Sequence, residues 1–401
     1  MLENQVAIKK SKILIYLLSF LQFQGFIGPV LFVFYSRHLG LSMDEYLKID
    51  AVCFLAMAFC EIPSGMIADT FGRKKVLIIS KLFITVGMMN LLFTQSYTGA
   101  MITGLIYGIF GALESGVSES VIYEIFDREK KLKEYEYTSS KAGSIGFFVS
   151  ILYAVFAGYL ISINVLLPVI LDLIVLVLTI LLVLIFLEDN GDYSGEKKRS
   201  CLKIPLSECL NILPILCVGS ILLSFSRCIF SFYQPIQLEL ELPVVFLGYA
   251  AAVYSIIAGA SAFFYKKIRE KLSAKFMYFL IAALQLISSF GLAFSKSYSS
   301  LGFIFLQQLM RGIMGIFLYF QINSFINPES KNRVTLMSVY YFVTTVLTGL
   351  MLKLTADFTK FQSMRFSIKT YSFVINSMLV IALLVLFICQ KSGKIKKYQE
   401  C

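Results

Sequence analysis

Glu61-Ile-Pro63-Ser64-Gly65-Met-Ile-Ala68-Asp69-Thr-Phe-Gly72-Arg73-Lys74-Lys75 is the stretch on which the fold turns. An apolar run, about 47–68, leads into it, and a second, about 76–95, leads out. Each is long enough to cross the roughly 30 Å hydrocarbon core of a bilayer as a helix. The few polar residues between them then form a tight turn at a membrane surface. Gly65 lets a neighbouring helix approach closely. Asp69 closes the helix and can accept from the N-terminus of a facing helix. Gly72 permits the turn, and Arg73 is a forked donor able to reach back to carboxylates. Such a cluster can latch two helix bundles on one side of a membrane and release them on the other.

The rest of the chain has the same character. Of its 401 residues 58% are hydrophobic and 15% charged, against roughly 25% charged in a soluble domain. Mean hydropathy is +0.78. One or two soluble cores cannot hide that much apolar surface, and disorder is excluded by the same figures. The formal charge of +11 would suggest nucleic acid in a soluble protein. In a membrane chain it reads as basic loops gathered on one face, and no nucleic-acid partner is expected. Cys53, Cys60, Cys217, Cys228 and Cys389 lie in apolar runs, where a free thiol packs as a small hydrophobe. No disulfide framework or metal site is expected. His38 is the single histidine and reads as an interface residue. The run from Ile13 to Tyr35 is too long for a signal peptide and lacks a cleavage site, so it is expected to remain as the first span.

Twelve apolar runs of spanning length are expected, at about 13–35, 47–68, 76–95, 98–125, 138–161, 164–187, 210–234, 243–265, 276–294, 298–322, 334–355 and 368–390. Their continuous apolarity favours helices over barrel strands. The N-terminal segment, the loops after even-numbered spans and the C-terminal tail hold about 25 of the 36 Lys and Arg. The other loops hold about six. That asymmetry predicts both termini in the cytoplasm. The longest polar interruption, Glu188 to Cys209, falls after six spans. The expected organisation is therefore all-α: an N-terminal six-helix bundle (1–187), a cytoplasmic linker (188–209), and a C-terminal six-helix bundle with a short tail (210–401). A two-by-six layout is the pattern of transporters built from repeats around a midplane site.

The Gly65-to-Lys74 string resembles the loop signature of the major facilitator superfamily, G-x-x-x-D-x-x-G-R-[RK], with every fixed position present. The preceding Glu61-x-Pro63-Ser64 looks like a bacterial efflux branch of that family. So does Ser115-Gly116-Val-Ser-Glu119-Ser120-Val-Ile-Tyr123-Glu124, which has Ser120 for Ala and Glu124 for Asp. Other family motifs are altered. Gly104, Gly108 and Gly111 have no preceding Arg, and Gly143, Gly146 and Gly158 have no proline. The second-half loop signature has become Tyr265-Lys-Lys-Ile-Arg269-Glu270-Lys271. The resemblance implies the major facilitator fold and a gating motif of Gly65, Asp69, Gly72, Arg73 and Lys74, with Glu124 or Asp127 pairing with Arg73. It also implies a central cavity lined by spans 1, 4, 7 and 10, so that Glu114, Glu119, Arg227 and Arg311 meet substrate or protons.

An ionisable side chain at mid-membrane depth costs at least about 2.5–3.5 kcal/mol, so each is a functional candidate. The expected set is Glu61, Glu114, Glu119, Asp172, Arg227, Arg311 and Lys353. Five residues of helix separate Glu114 from Glu119 by roughly 140°, so both cannot face one cavity. Glu114, nearer the middle of its span, is the better lumen-facing carboxylate. It either binds and releases protons or forms a static bridge to Arg311 or Arg227. Glu61, Glu114 and Glu119 are the proton-coupling candidates. The cavity candidates are Gln22, Arg227, Gln234, Gln307 and Arg311, with Gln307 and Arg311 sharing a helix face four residues apart. Phe26, Tyr107, Phe230 and Tyr319 can supply apolar walls.

The expected activity is secondary transport by alternating access, exporting a small amphipathic compound (drug, antibiotic or toxic metabolite) across a bacterial inner membrane. The proton gradient is its energy source, and no cofactor is expected. The alternatives are export of a peptide antibiotic or siderophore, with Arg227 and Arg311 fitting an anionic cargo, and nutrient uptake on the same fold. An enzyme is disfavoured: there is no Walker loop, no nucleophile beside a base, and one histidine in the whole chain. A monomer embedded in the bilayer is expected to suffice.

Overall fold

The computed structural model describes residues 2–71, 73–114, 126, 132–187, 206–327, 333–393 and 395–398. Within them the regular structure is entirely helical. The helices are α1 (Leu2–Phe20), α2 (Leu31–His38), α3 (Met43–Phe71), α4 (Arg73–Phe93), α5 (Tyr97–Glu114), α6 (Leu132–Ile163) and α7 (Leu167–Phe186). There follow α8 (Leu206–Phe230), α9 (Tyr233–Glu239), α10 (Val244–Phe263), α11 (Tyr265–Lys271), α12 (Ala274–Phe294), α13 (Ser299–Ser324), α14 (Arg333–Phe361) and α15 (Met364–Lys391). Two compact units result: Met1–Glu196 with Leu242–Val253, and Lys197–Glu241 with Tyr254–Cys401. The N-terminal half of α10 thus groups with the first unit.

Nine helical segments among the described residues are long and apolar enough to cross a membrane. The α7 helix shows how they are built. Its 20 residues rise about 30 Å. Ile170, Ile174, Val177, Leu181 and Leu184 are exposed on one stripe, while Val169, Asp172, Val175, Leu176, Thr179 and Val183 are buried on the other. The exposed stripe is as apolar as the buried one, which suits lipid as the solvent. Among the described residues of the remaining expected spans, α5 ends at Glu114, α3 carries Glu61 and Pro63 within it, and the first span is broken.

That break is the main departure from the expected helices. The run 13–35 is not one rod. It stops at Phe20, passes through Gln24 with φ of 53°, and resumes through a short 3-10 turn (Gly28–Val30) into α2. Pro29 explains the restart, because it lacks an N–H and its fixed φ suits a first helical position. Gly25 explains the close packing of the break, since a Cβ there would lie 2.8 Å from the Tyr153 ring. The seventh expected span is interrupted as well. Between α8 and α9, Ser231 and Phe232 make bonds back to Cys228 and Ile229, and Pro235 lies in the first turn of the new helix, where its missing N–H costs no intrahelical bond.

Packing within each unit follows small and hydroxylated residues. In the first, α5 crosses α3 at Gly104 and Gly108. A Cβ on Gly108 would lie 2.2 Å from the Cys53 carbonyl oxygen. In the second, α8 and α14 are joined by Ser224 donating to the Thr344 carbonyl at 2.9 Å and Thr344 donating to Ser220 at 3.2 Å. The α12–α15 contact carries Gln285 to Asn376 at 3.1 Å and Asn376 to Ser289 at 2.9 Å. At one end of this unit the buried Arg365 gathers three elements. Its Nε donates to Glu239 of α9 and its Nη1 to the Leu292 carbonyl of α12, both at 2.6 Å.

Candidate functional site

In the first unit the broken span is held by neighbouring helices. Its unwound backbone exposes N–H groups that no intrahelical carbonyl takes. Asp172 of α7, 1% exposed, takes two: Oδ1 accepts from Phe26 at 3.1 Å and Oδ2 from Ile27 at 2.8 Å. The carboxylate therefore caps the start of the second half-helix, where an anion is also favoured by the helix dipole. Tyr153 of α6 donates to the Phe20 carbonyl at 2.7 Å, closing the end of α1. Irregular backbone at membrane depth survives only when protein or a cavity satisfies it, and these side chains do so.

Aromatic rings connect the break to an ion pair. Phe23 packs edge-on against Tyr107 and Phe110 of α5, with ring centres 5.5 and 5.0 Å apart. The Lys81 ammonium of α4 lies 5.3 Å from the centre of the same Phe110 ring and donates to Glu114 at 2.7 Å. Ser80 donates to the other Glu114 oxygen at 3.2 Å. Lys81 is almost wholly buried, whereas the Glu114 side chain keeps 25% of its surface exposed. The pair thus has an accessible acid and an enclosed base.

In the second unit a cation sits on an aromatic and amide cluster. The Arg311 guanidinium of α13 lies 5.7 Å from the centre of the Phe230 ring. Phe230 meets Tyr233 at 5.3 Å, and Tyr233 meets Tyr254 at 5.6 Å. Gln308 donates to the Tyr233 hydroxyl at 3.1 Å and Gln237 to that of Tyr254. Arg311 and Phe230 are exposed, Tyr233 and Tyr254 buried. Among the described residues no acid pairs with Arg311.

The sequence-derived candidates distribute as follows. Glu114 bridges to Lys81, not to Arg311 or Arg227. Arg227 donates to Thr345 at 3.3 Å, tying α8 to α14. Gln22, in the break after α1, donates to the Gly146 carbonyl of α6. Gln234 is half-buried at the start of α9, and Glu61 is half-buried in α3. Gln307 is 1% exposed with neither amide atom partnered. Lys74 is half-buried near the start of α4. Gly72, Glu119, Glu124 and Asp127 lie outside the described residues, as do the side chains of Asp69 and Arg73 and the surroundings of Gly65. Lys81 was not among the expected intramembrane charges, although it lies inside the run 76–95 and the cost argument that selects Glu114 selects it equally. Asp172 stands out in sequence as a charge, but its role depends on a break in another helix.

These features define an all-helical, multi-pass membrane protein with ionisable groups held at membrane depth. The family model of the Major Facilitator Superfamily matches residues 13–352, and the chain belongs to that family. It is 29% identical over 123 residues to an uncharacterized MFS-type transporter of Methanocaldococcus jannaschii, covering 31% of each chain. It is 31% identical over 104 residues to an uncharacterized transporter of Buchnera aphidicola, covering 26% of this chain and 25% of that one. The alignments thus span under a third of the curated relatives' lengths. Among solved structures, the nucleoside transporter NupG superposes with a TM-score of 0.74 at 12% identity, over 96% of this chain and 99% of that one. A D-xylose-proton symporter superposes with a TM-score of 0.66 at 15% identity, over 95% of each. At these identities the likeness is one of fold.

Proposed function

We propose that the protein is a secondary transporter that exports a small amphipathic compound across a bacterial inner membrane by alternating access, with proton coupling. In this reading two six-helix bundles, 1–187 and 210–401, rock about a midplane cavity. The linker 188–209 and both termini lie in the cytoplasm, and a monomer suffices. The carrying observation is the Lys81–Glu114 pair at 2.7 Å. A proton arriving at the accessible Glu114 removes the negative charge and leaves Lys81 buried without its counter-ion. That state is costly in a low-dielectric site, so proton arrival favours any rearrangement that gives Lys81 a new partner. The gating string Gly65, Asp69, Gly72, Arg73 and Lys74, with Glu124, supplies the switch in the two-state picture.

The experiment is pH-gradient-driven transport in proteoliposomes, across a panel of antibiotics, peptides, siderophores, nucleosides and sugars. Glu114→Gln should abolish gradient-driven movement while leaving exchange of cargo down its own gradient. Gradient-driven transport by Glu114→Gln at the wild-type rate would remove the proton role. A normal rate in Asp69→Ala and Arg73→Ala would remove the gate. Inside-out and right-side-out vesicles separate export from uptake.

A second reading concerns cargo. Arg311, exposed over Phe230 with no acid partner among the described residues, suits a partly apolar compound carrying an anionic group, such as a siderophore or an acidic peptide. Phe230 would bind its apolar part and the guanidinium its charge. Arg311→Lys keeps the charge and loses the fork. It should raise the KM for acidic cargo more than for neutral cargo, and equal effects on both would remove this reading.

A further inference from the structure

The end of the second unit that carries residues 395–398 holds a pocket lined by none of the candidate residues described above. After α15 ends, the chain turns at Gly393, with φ of 68°, and residues 395–398 lie back against the unit. Asn211 of α8 fastens them. Its Oδ1 accepts from the Lys396 N–H at 2.6 Å, and its Nδ2 donates to the carbonyls of Lys396 at 2.9 Å and Phe325 at 2.7 Å. The Tyr398 N–H donates to the Ser324 carbonyl at 2.8 Å. Beside this strap, among α12, α13 and α15, lies a cavity of about 480 Å³ lined by Lys275, Tyr278, Gln321, Phe387, Gln390 and Lys397, among others. A second cavity of about 470 Å³ shares Lys275, Phe387 and Gln390 with it and adds Lys391. Each volume falls in the roughly 300–1,000 Å³ range of ligand sites.

Three lysines line these cavities and, among the described residues, no carboxylate does. At the wall stands a built donor. Gln321 is 2% exposed. Its Oε1 accepts from the Tyr278 hydroxyl at 3.5 Å, while its Nε2 has no partner. A buried donor left unfilled is costly, and the surrounding charge calls for an anion. The remaining walls are apolar, including Phe325, Phe387 and Ile395. Outside them Phe276 and Phe279 of α12 and Leu384 and Ile388 of α15 are exposed. An inorganic anion gains nothing from these surfaces, whereas acyl chains do.

We propose that this pocket binds the phosphate headgroup of an anionic phospholipid, with Lys275, Lys391 and Lys397 supplying charge and the Gln321 amide a fixed donor. The C-terminal strap completes the site by presenting Lys397. The proposal is independent of the transport reading.

The test uses the full-length chain, purified and delipidated, with lipid binding followed by native mass spectrometry and thermal protection. The probes are dioleoyl phosphatidylglycerol, dioleoyl phosphatidylcholine and inorganic phosphate. Phosphatidylglycerol should bind and protect, and phosphatidylcholine should not. One basic residue near an anionic surface is worth about a fivefold change in binding, so Lys275→Ala with Lys397→Ala should weaken it about thirtyfold. Gln321→Leu should weaken it at unchanged net charge, which separates the pocket from bulk attraction. Lys296→Ala, at the far end of α12, should change nothing. Equal binding of the two lipids, or wild-type affinity in the double variant, overturns the proposal. Protection by phosphate equal to that by phosphatidylglycerol overturns the lipid assignment in favour of a free anion.

Discussion

Replacing Asp172 tests whether a buried carboxylate holds the broken first span. The side chain is 1% exposed and takes the Phe26 and Ile27 N–H groups at 3.1 and 2.8 Å. Asp172→Leu keeps the branched outline with bulkier methyl groups in place of the oxygens and leaves both donors without an acceptor. An orphaned buried donor costs about 1–3 kcal/mol, so the pair costs about 2–6 kcal/mol. Removing a desolvated charge returns part of this, so the lower half of that range, about 2–4 kcal/mol, is expected. Asp172→Asn keeps one acceptor oxygen and turns an NH2 toward the other donor. Its cost is that of one orphaned donor plus a weaker bond at the other, about 1–3 kcal/mol. The assay is reversible unfolding in mixed micelles by increasing SDS fraction, with heat inactivation as a rate check. Each 1.4 kcal/mol is a tenfold change in the folded ratio. Stability should rank wild type, then Asn, then Leu. Wild-type stability in Asp172→Leu would refute the idea that the carboxylate caps the half-helix.

Three other outcomes follow from particular contacts. Gly108→Ala puts a methyl 2.2 Å from the Cys53 carbonyl oxygen. No rotamer relieves a backbone clash, so a loss of about 1–3 kcal/mol is expected. Gly143→Ala, with nothing within 4 Å, should be neutral or stabilising by up to about 1 kcal/mol, and the reverse order would contradict the packing. Arg365→Met should cost about 2–4 kcal/mol, because the buried guanidinium is lost and the Leu292 carbonyl orphaned. Glu239→Gln should cost less, about 1–2 kcal/mol: the acid is 39% exposed and screened by solvent and the amide oxygen still accepts from Nε, but the buried Arg365 loses its counter-ion. Chemical denaturation of both variants checks the ranking. Asp44, just before the second span, has its carboxyl below the ordinary value: burial alone would raise it, but the Ser42 hydroxyl and the Lys48 ammonium outweigh that. Its stabilisation is therefore fully present above the ordinary carboxylate pKa of about 4 and lost as pH falls through the lower folded value. Asp44→Asn should flatten that acid limb of the stability profile by about 1 kcal/mol or less.

The Lys81–Glu114 bridge shows that a charge picked out by its cost in an apolar run does not bring its partner with it. Glu114 stands out in sequence because any charge in an apolar run is costly. Arg227 and Arg311 were the obvious counter-ions by the same criterion. The cation that meets it lies one helix away in the same unit, on α4. Adjacency of α4 and α5 follows from their short connection, yet the facing of Lys81 toward Glu114 depends on the rotation of each helix about its axis. Hydropathy in so apolar a span contains little record of that rotation.

Sequence by itself determined the class of protein, the apolar runs long enough to span a bilayer and the family string at Gly65 to Lys74. These are properties of composition and spacing along one segment, where length against bilayer thickness settles the matter without any partner. Tertiary structure alone decided that the first span is broken, that Asp172 caps the break, that Lys81 holds Glu114 and that Asn211 straps the tail. Each of these joins groups far apart in the chain. A polar group in a nonpolar medium takes whichever partner the packing brings within 3 Å, and that choice is made by the rotation and neighbours of whole helices.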